Sequence, residues 1–143
     1  MKSLDFLVAV SRDEEDPGFW NARLHVPDQK FLLVTCGSSL EETLVKAVDL
    51  VDIWVMHCVE TNRDFGKDIE GNYRVEPSLR VQAAWMVRQL RLEAALTQAD
   101  AAKLLGVSQQ AYAKLEDLQR SNATMRTLDR LARAFHKPIR VVA

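Results

Sequence analysis

The sequence predicts an α+β protein in which a β-β-β-α-β half precedes an all-α half with a short C-terminal strand. Three observations predict it. Apolar and polar residues alternate in short segments before residue 37, a helical apolar stripe runs from Leu40 to Val55, and helical spacing returns from Leu79 onward. The chain has 143 residues and 48% apolar content, which is enough for two small units. We expect these units to span residues 1–78 and 79–143.

Three strands are predicted in the first 36 residues, from the segments LDFLVAVS (4–11), FWNARLHV (19–26) and KFLLVTC (30–36). The turn-forming sequences RDEEDPG and PD separate them. A fourth strand is predicted from YRVEP, and Pro77 at its end stops it because proline lacks the backbone N–H of a strand ladder.

A long helix is predicted between the third and fourth strands. Ser39 and Glu42 have the spacing of a capping box, in which each side chain bonds the backbone N–H of the other residue. Apolar residues then recur at helical spacing and predict the side that covers the sheet. They are Leu40, Leu44, Ala47, Val48, Val51 and Val55.

The second half has two further helical stripes and an extended tail. The stripes are Ala83, Val87, Leu90 and Ala94, and then Leu128, Leu131, Ala132 and Phe135. Their spacing predicts amphipathic helices. The final segment KPIRVVA predicts a short strand, because Pro138 ends the last helix and β-branched residues follow it.

Composition excludes several classes of protein. No run of about 18 apolar residues is present and the first 30 residues lack a signal-peptide pattern, so we expect a cytoplasmic protein that does not enter a membrane. Cys36 and Cys58 lack CxxC spacing and are expected to be free thiols. The two cysteines and the three histidines have no metal-ligand spacing, and we expect no metal ion and no cofactor. The histidines are His25, His57 and His136.

The net charge of -1 conceals two halves of opposite sign. Residues 1–78 contain 8 Lys and Arg against 15 Asp and Glu, a charge of -7, and residues 79–143 contain 11 against 5, a charge of +6. This division predicts an acidic half that meets a basic partner and a basic half that meets phosphate. Attraction between the two halves is the alternative explanation.

The segment LTQADAAKLLGVSQQAYAKLE (96–116) predicts two short helices that meet at a glycine. Thr97 is placed to cap the first helix, Gly106 allows a left-handed turn, and Ser108 is placed to cap the second helix. Small and apolar residues between these points suit the crossing angle of a helix-turn-helix. The exposed positions of the second helix are Gln109, Gln110, Ala113 and Lys114.

These exposed side chains suit the major groove of DNA. Glutamine can form two hydrogen bonds with adenine, and lysine can donate to guanine. Ser108 places both glutamines at the start of the helix, which is the part that enters the groove. A water-exposed polar face and a protein-binding module of the same shape are the alternatives.

The same segment resembles the helix-turn-helix of the Cro and phage-repressor (XRE) family, in its TQ opening, its LGVS turn and its LE close. The resemblance extends from Val87 to Phe135. It implies phosphate contacts by Gln98 and Asn122 and an ion pair between Arg91 and Glu116. The DNA-binding residues predicted in this way, with the helix cap, are Gln98, Ser108, Gln109, Gln110, Lys114 and Asn122.

The order of the two halves resembles that of the HicB antitoxin family. The resemblance rests on FLVAVSRDEEDPGFWNARLHV, TCGSSLEETLVKAVD and YRVEPSL, followed by the helix-turn-helix. It implies that the first half is a partial, inactive RNase H-like fold. It also implies a toxin partner, HicA, which is a small basic ribonuclease that acts on mRNA, and repression of the protein's own operon through operator DNA. The charge of -7 in the first half independently fits a basic partner.

Two other functions are compatible with parts of the sequence. RNase H chemistry needs carboxylates that converge on metal ions, and the candidates are Asp5, Asp13 and Glu42. The RDEEDPG segment is better explained as a solvated hairpin loop, so we expect the protein to have no enzymatic activity. A stand-alone repressor whose first half senses a small molecule is the other alternative, although the sequence shows no pocket with converging polar groups.

A homodimer or homotetramer is also expected. One helix-turn-helix contacts only a few base pairs, and repressors of this type bind two half-sites about 34 Å apart as symmetric dimers. The tail PIRVVA has the character of an unpaired strand, which can pair with a second copy of itself. The predicted interface is Ile139, Arg140, Val141 and Val142.

Overall fold

The computed structural model describes residues 4–26, 32–66 and 70–136. The chain forms two compact units, of which the first ends at Ser78 and the second begins at Leu79. The strand predicted from KPIRVVA and the dimer interface predicted at residues 139–142 lie outside the described residues.

The first unit is an antiparallel sheet of four described strands with one helix in the chain between the last two. The elements are β1 (Phe6–Arg12), β2 (Trp20–His25), β3 (Leu32–Gly37), α1 (Leu40–Glu60) and β4 (Tyr73–Val75). The strand order across the sheet is β3-β2-β1-β4. The predicted α+β class and the element order β-β-β-α-β are confirmed.

One face of this sheet is apolar and contacts α1. Val8 and Val10 of β1 are buried, as are Ala22 and Leu24 of β2, and the register pairs Val10 with Ala22 so that these side chains share a face. Asn72 extends the pairing of β4 with β1, because its side-chain amide bonds both the N–H and the C=O of Val10 at 2.8 and 2.9 Å.

Helix α1 buries a wider arc than the sequence predicts. The predicted residues Ala47, Val51 and Val55 are buried, whereas Leu40, Leu44 and Val48 are only half-buried. The buried residues missed by the prediction are Thr43, Leu50, Asp52, Trp54 and Cys58. Polar members of this set have partners in the described chain: the Trp54 indole donates to the Phe65 carbonyl at 3.1 Å, and Asp52 accepts from the Ser78 N–H at 2.8 Å.

The start of α1 differs from the predicted capping box in one bond. Ser39 is the N-cap and its hydroxyl accepts from the Glu42 N–H at 3.1 Å, as predicted. The Glu42 carboxylate, however, accepts from the hydroxyl and the N–H of Ser38 at 2.5 and 3.3 Å, and it pairs with Lys46 at 3.0 Å. Ser38 offers the Glu42 carboxylate two donors, its backbone N–H and its hydroxyl, whereas the predicted capping box would offer one, the backbone N–H of Ser39. The greater number of donors explains why Glu42 bonds Ser38.

Asp13 organises the loop between β1 and β2. Its carboxylate accepts from the N–H groups of Glu15 and Asp16, each at 2.9 Å, and from the Asn21 amide at 2.8 Å. The bond from Asn21 is the largest of the effects that lower the pKa of Asp13. These contacts are those of an acidic hairpin loop.

The second unit contains four described helices around one core. They are α2 (Leu79–Glu93), α3 (Gln98–Leu105), α4 (Gln109–Glu116) and α5 (Met125–Phe135). The buried core residues that bind the helices together are Val87, Ala101, Ala102, Leu105, Tyr112, Leu128 and Leu131. The stripe predicted for α2 is wrong at Ala94, which is exposed beyond the helix end, and Ala83 is half-buried; the buried positions are Val81, Ala84, Val87 and Leu90.

Candidate nucleic-acid interface

The corner between α3 and α4 is made by local backbone interactions. Thr97 and Asp100 form a capping box at the start of α3, with bonds of 3.1 and 3.4 Å. Gly106 ends the helix with φ 71° and ψ 33°, the left-handed conformation that costs least for glycine. Its N–H bonds the carbonyl of Lys103 at 3.1 Å, and the next N–H, of Val107, bonds that of Ala102 at 3.0 Å.

Helix α4 begins at an exposed polar end. Ser108 is its N-cap and accepts from the Ala111 N–H at 3.1 Å. Gln109 and Gln110 occupy the first turn and are both exposed, while Tyr112 is fully buried in the core. The buried ring therefore fixes which side of α4 faces the unit, and the glutamines are left at the helix start in contact with solvent.

A buried ion pair holds α4 against α2. The Arg91 guanidinium and the Glu116 carboxylate form two hydrogen bonds, Nε to Oε1 at 2.6 Å and a terminal nitrogen to Oε2 at 3.2 Å. Only 12% of the Arg91 side chain and 5% of the Glu116 side chain are exposed. The pair that the XRE resemblance implies thus joins the first and third helices of this unit.

Two further side chains complete the shell around Glu116. The Tyr112 hydroxyl donates to Oε1 at 3.1 Å, and the Gln98 amide donates to Oε2 at 2.8 Å. Arg91 also donates to the Leu96 carbonyl at 2.9 Å. Both carboxylate oxygens are thereby bonded twice, which offsets the cost of burying the charge.

The pKa values of Arg91 and Tyr112 are both raised at this site. The hydrogen bond to Glu116 raises the pKa of Arg91 above its ordinary value and opposes the effect of burial. Burial raises the pKa of the Tyr112 hydroxyl, and the nearby Glu116 carboxylate raises it further. Tyr112 therefore remains a neutral hydrogen-bond donor at neutral pH.

The structure separates the predicted DNA-binding residues into two groups. Five of the six are exposed, namely Ser108, Gln109, Gln110, Lys114 and Asn122, and the last two line a surface groove of about 460 Å³ between α4 and α5. Gln98 is half-buried, and its amide nitrogen is already bonded to Glu116. All their contacts with DNA, including the phosphate contact of Gln98, stay predictions.

Two parts of this surface were not predicted from the sequence. The Arg130 guanidinium of α5 donates to the carbonyl of Leu105, the last residue of α3, at 2.7 Å, so a carbonyl at the end of that helix has a partner. Thr124 caps α5 and lines the same groove as Lys114. The cap has a local signal, a threonine three residues before Thr127, but the Arg130 bond joins residues 25 apart and leaves no sequence pattern.

Within residues 4–26, 32–66 and 70–136, no cluster of three or more His, Cys, Asp or Glu side chains is arranged to hold a metal ion. No helix in that part of the chain is long and apolar enough to cross a membrane.

Comparison with known proteins identifies the second unit. A family model described as helix-turn-helix matches residues 87–142, and the chain therefore contains a helix-turn-helix domain in its second unit. No curated protein matches the chain.

Two similar solved structures contain HipB. One is a HipA-HipB-O2-O3 complex, with 19% identity, 52% of this chain and 97% of that chain covered, and a TM-score of 0.38. The other is a complex of a HipB variant with an O2 20mer, with 20% identity, 53% and 97% coverage, and the same TM-score of 0.38. These similarities are too low to indicate a shared function.

Proposed function

We propose that this protein is an antitoxin of the HicA/HicB type. Its second unit binds operator DNA and represses its own operon, and its first unit binds and neutralises an mRNA-cleaving toxin. In this proposal the protein is a homodimer or homotetramer that acts by binding and catalyses no reaction. The observation that supports DNA binding most directly is the exposed, Ser108-capped start of α4 inside a helix-turn-helix domain.

The geometry of α4 suits sequence reading. Gln109 and Gln110 lie in its first turn, where a recognition helix contacts base edges. Their terminal amides have the donor and acceptor pair that adenine requires in the major groove. The buried contacts of Tyr112 and Glu116 keep the helix from rotating, so these side chains are presented in a constant orientation.

The opposite charges of the two units support different binding partners for each unit. The second unit, at +6, has the sign that phosphate attracts, and Lys114, Arg120 and Arg126 are exposed on it. The first unit, at -7, has the sign that a basic ribonuclease attracts. The order of the two units and the resemblance of the first unit to HicB support a small basic ribonuclease as the class of partner.

The DNA-binding part is tested by selection. The full chain is incubated with a library of random duplexes, and bound sequences are recovered over several rounds. We expect enrichment of one motif repeated as two half-sites about one helical turn apart. Recovery of random sequences with uniform, salt-sensitive affinity would show that the domain binds DNA without reading it.

The antitoxin part is tested by co-expression with the small basic reading frame that the proposal places beside the gene. We expect that frame alone to stop growth, the full chain to restore growth, and residues 1–78 alone to co-purify with the basic protein. Rising salt should slow their association, since opposite charges steer it. The absence of such a frame, or a folded first unit that fails to bind its product, would favour a stand-alone repressor.

A further inference from the structure

The side of α1 that points away from the sheet bears large apolar residues. Val45 is 70% exposed and Ile53 is 49% exposed. Asp49 and Glu60 are exposed as well, and Met56 is half-buried. The spacing of these five residues places them in one row along the helix, and we call this row the outer face of α1.

Packing within the first unit does not explain this face. The opposite side of α1, with Ala47, Val51 and Val55, already covers the sheet. Single exposed apolar residues are common on protein surfaces, but here two β-branched residues lie on one row, about 12 Å apart at about 1.5 Å per residue. Met56 extends the apolar surface beside Ile53 toward the C-terminal end of the helix.

The charges around these apolar residues are mostly acidic. Asp49 lies between Val45 and Ile53, and Glu60 lies at the C-terminal end of the row. The nearby Lys46 is engaged by Glu42, at 3.0 Å, and by the Cys36 carbonyl, also at 3.0 Å. An apolar centre with a charged margin is the usual anatomy of a protein interface.

We propose that the outer face of α1 is the surface on which the basic partner docks, with Val45 and Ile53 as apolar anchors. The inference rests on the proposed function and identifies the surface that performs it. Asp49 and Glu60 complement the cationic surface of such a partner. A second copy of this chain fits less well, because two outer faces in contact would bring the same carboxylates together.

The test compares three variants of the full chain: Val45→Lys with Ile53→Lys, Asp49→Asn with Glu60→Gln, and the control Val34→Lys. Lysine has a higher helix propensity than valine or isoleucine, so the first variant should keep α1 folded. Val34→Lys is the control for the introduction of a single exposed lysine, because Val34 is 51% exposed on β3. The probe is the purified basic protein from the adjoining reading frame, and calorimetry with stopped-flow mixing measures its affinity and association rate.

We expect the double lysine variant to lose about 100-fold or more in affinity, the loss typical of two central anchors, and Val34→Lys to lose less than about 3-fold. The variant Asp49→Asn with Glu60→Gln should bind the basic protein more slowly, and its association rate should depend less on salt. Equal affinities of the double lysine variant and Val34→Lys would overturn this docking surface while leaving the proposed function intact.

Two other outcomes separate the alternatives. If the unaltered chain does not bind the basic protein, the proposed function itself is wrong, and the inference falls with it. If the double lysine variant lowers the mass of the chain alone in sedimentation, the face is an interface between two copies, and the basic partner is not its occupant.

Discussion

Glu116 joins three helices of the second unit, because its carboxylate receives bonds from each of them. Arg91 of α2, Gln98 of α3 and Tyr112 of α4 all donate to its carboxylate. A charge buried with a full set of donors stabilises one arrangement of the helices, whereas the loss of any donor leaves an unsatisfied group. Its role is therefore to hold α4 at a set angle, which positions the glutamines at the start of that helix.

Replacing Glu116 with glutamine should destabilise the second unit by about 3 kcal/mol, because the Arg91 charge would stay buried without its counter-charge. Native-state amide exchange in α2 and α4 measures this local free energy of unfolding. Glu93→Gln, at an exposed position of α2, is the control and should change it by less than about 0.5 kcal/mol. A loss at Glu116 no larger than that of the control would contradict the importance of the buried pair.

DNA contacts should divide into reading and positioning at the level of single side chains. Gln109→Ala or Gln110→Ala should cost about 1 to 3 kcal/mol on the selected operator and almost nothing on random DNA. If Lys114 or Arg120 contacts phosphate instead of a base, its replacement with alanine should weaken binding to operator and random DNA alike and lower the salt slope by about 1. Titrations at several salt concentrations measure both effects, with Gln89→Ala on α2 as the control. Equal losses on operator and random DNA for both glutamines would mean that α4 does not read sequence.

At the scale of elements, four of the described helices begin at a residue whose side chain bonds the helix backbone. Ser39, Thr97, Ser108 and Thr124 are all N-caps whose side chains accept from the N–H three residues on. A cap satisfies backbone donors that the helix itself leaves open, so it determines where the helix begins. At α1 the network extends further, through Glu42 to Ser38 and Lys46.

This network should make α1 sensitive to acid. Hydrogen bonds from Ser38, and then from Lys46, lower the pKa of Glu42 from 4.5 to about 2. A carboxyl whose pKa is lower in the folded chain contributes stability that is complete above about pH 4.5 and is lost as the pH falls toward 2. The difference in unfolding free energy between the natural chain and Glu42→Gln should therefore shrink over that interval, as measured by denaturant titrations at each pH. Glu41→Gln is the control, because it also removes a negative charge from the first turn of α1. A free-energy difference between the natural chain and Glu42→Gln that does not change with pH would contradict the prediction.

At the scale of the whole molecule, the two units have opposite charges and different proposed partners. In the part of the chain that the structure describes, the first unit has one helix on a four-stranded sheet, and the second has four helices around one core. Reading two half-sites requires two copies of the second unit, so the proposed function includes an oligomer.

The tail after Lys137 is predicted to contribute to that oligomer through Ile139 to Val142. A chain truncated after Lys137 should have a lower mass in light scattering and a weaker affinity for a two-half-site operator than the full chain. Its affinity for a single half-site should be unchanged. A truncated chain of unchanged mass would show that the copies associate through another surface.

Local features of this protein could be predicted from its sequence because a few neighbouring residues determine them. The left-handed turn at Gly106 costs least for glycine, and the caps at Thr97 and Ser108 need a short polar side chain beside a helix start. The α+β class followed in the same way from the change of apolar period between strands and helices. The exposed start of α4 could be predicted because helical spacing alone separates its polar side from Tyr112.

Contacts between distant residues were decided only by the tertiary structure. Asn72 bonds Val10 across 62 residues, and no short pattern records that bond. The family resemblance implies the pair of Arg91 and Glu116, but not the bonds that Gln98 and Tyr112 donate to Glu116 from 18 and 4 residues away. The wide buried arc of α1 and the choice of Ser38 by Glu42 depend on neighbouring elements and competing donors, which local spacing does not describe. The outer face of α1 also needed the structure, because an apolar residue on a helix is recognised as exposed only when its surroundings are known.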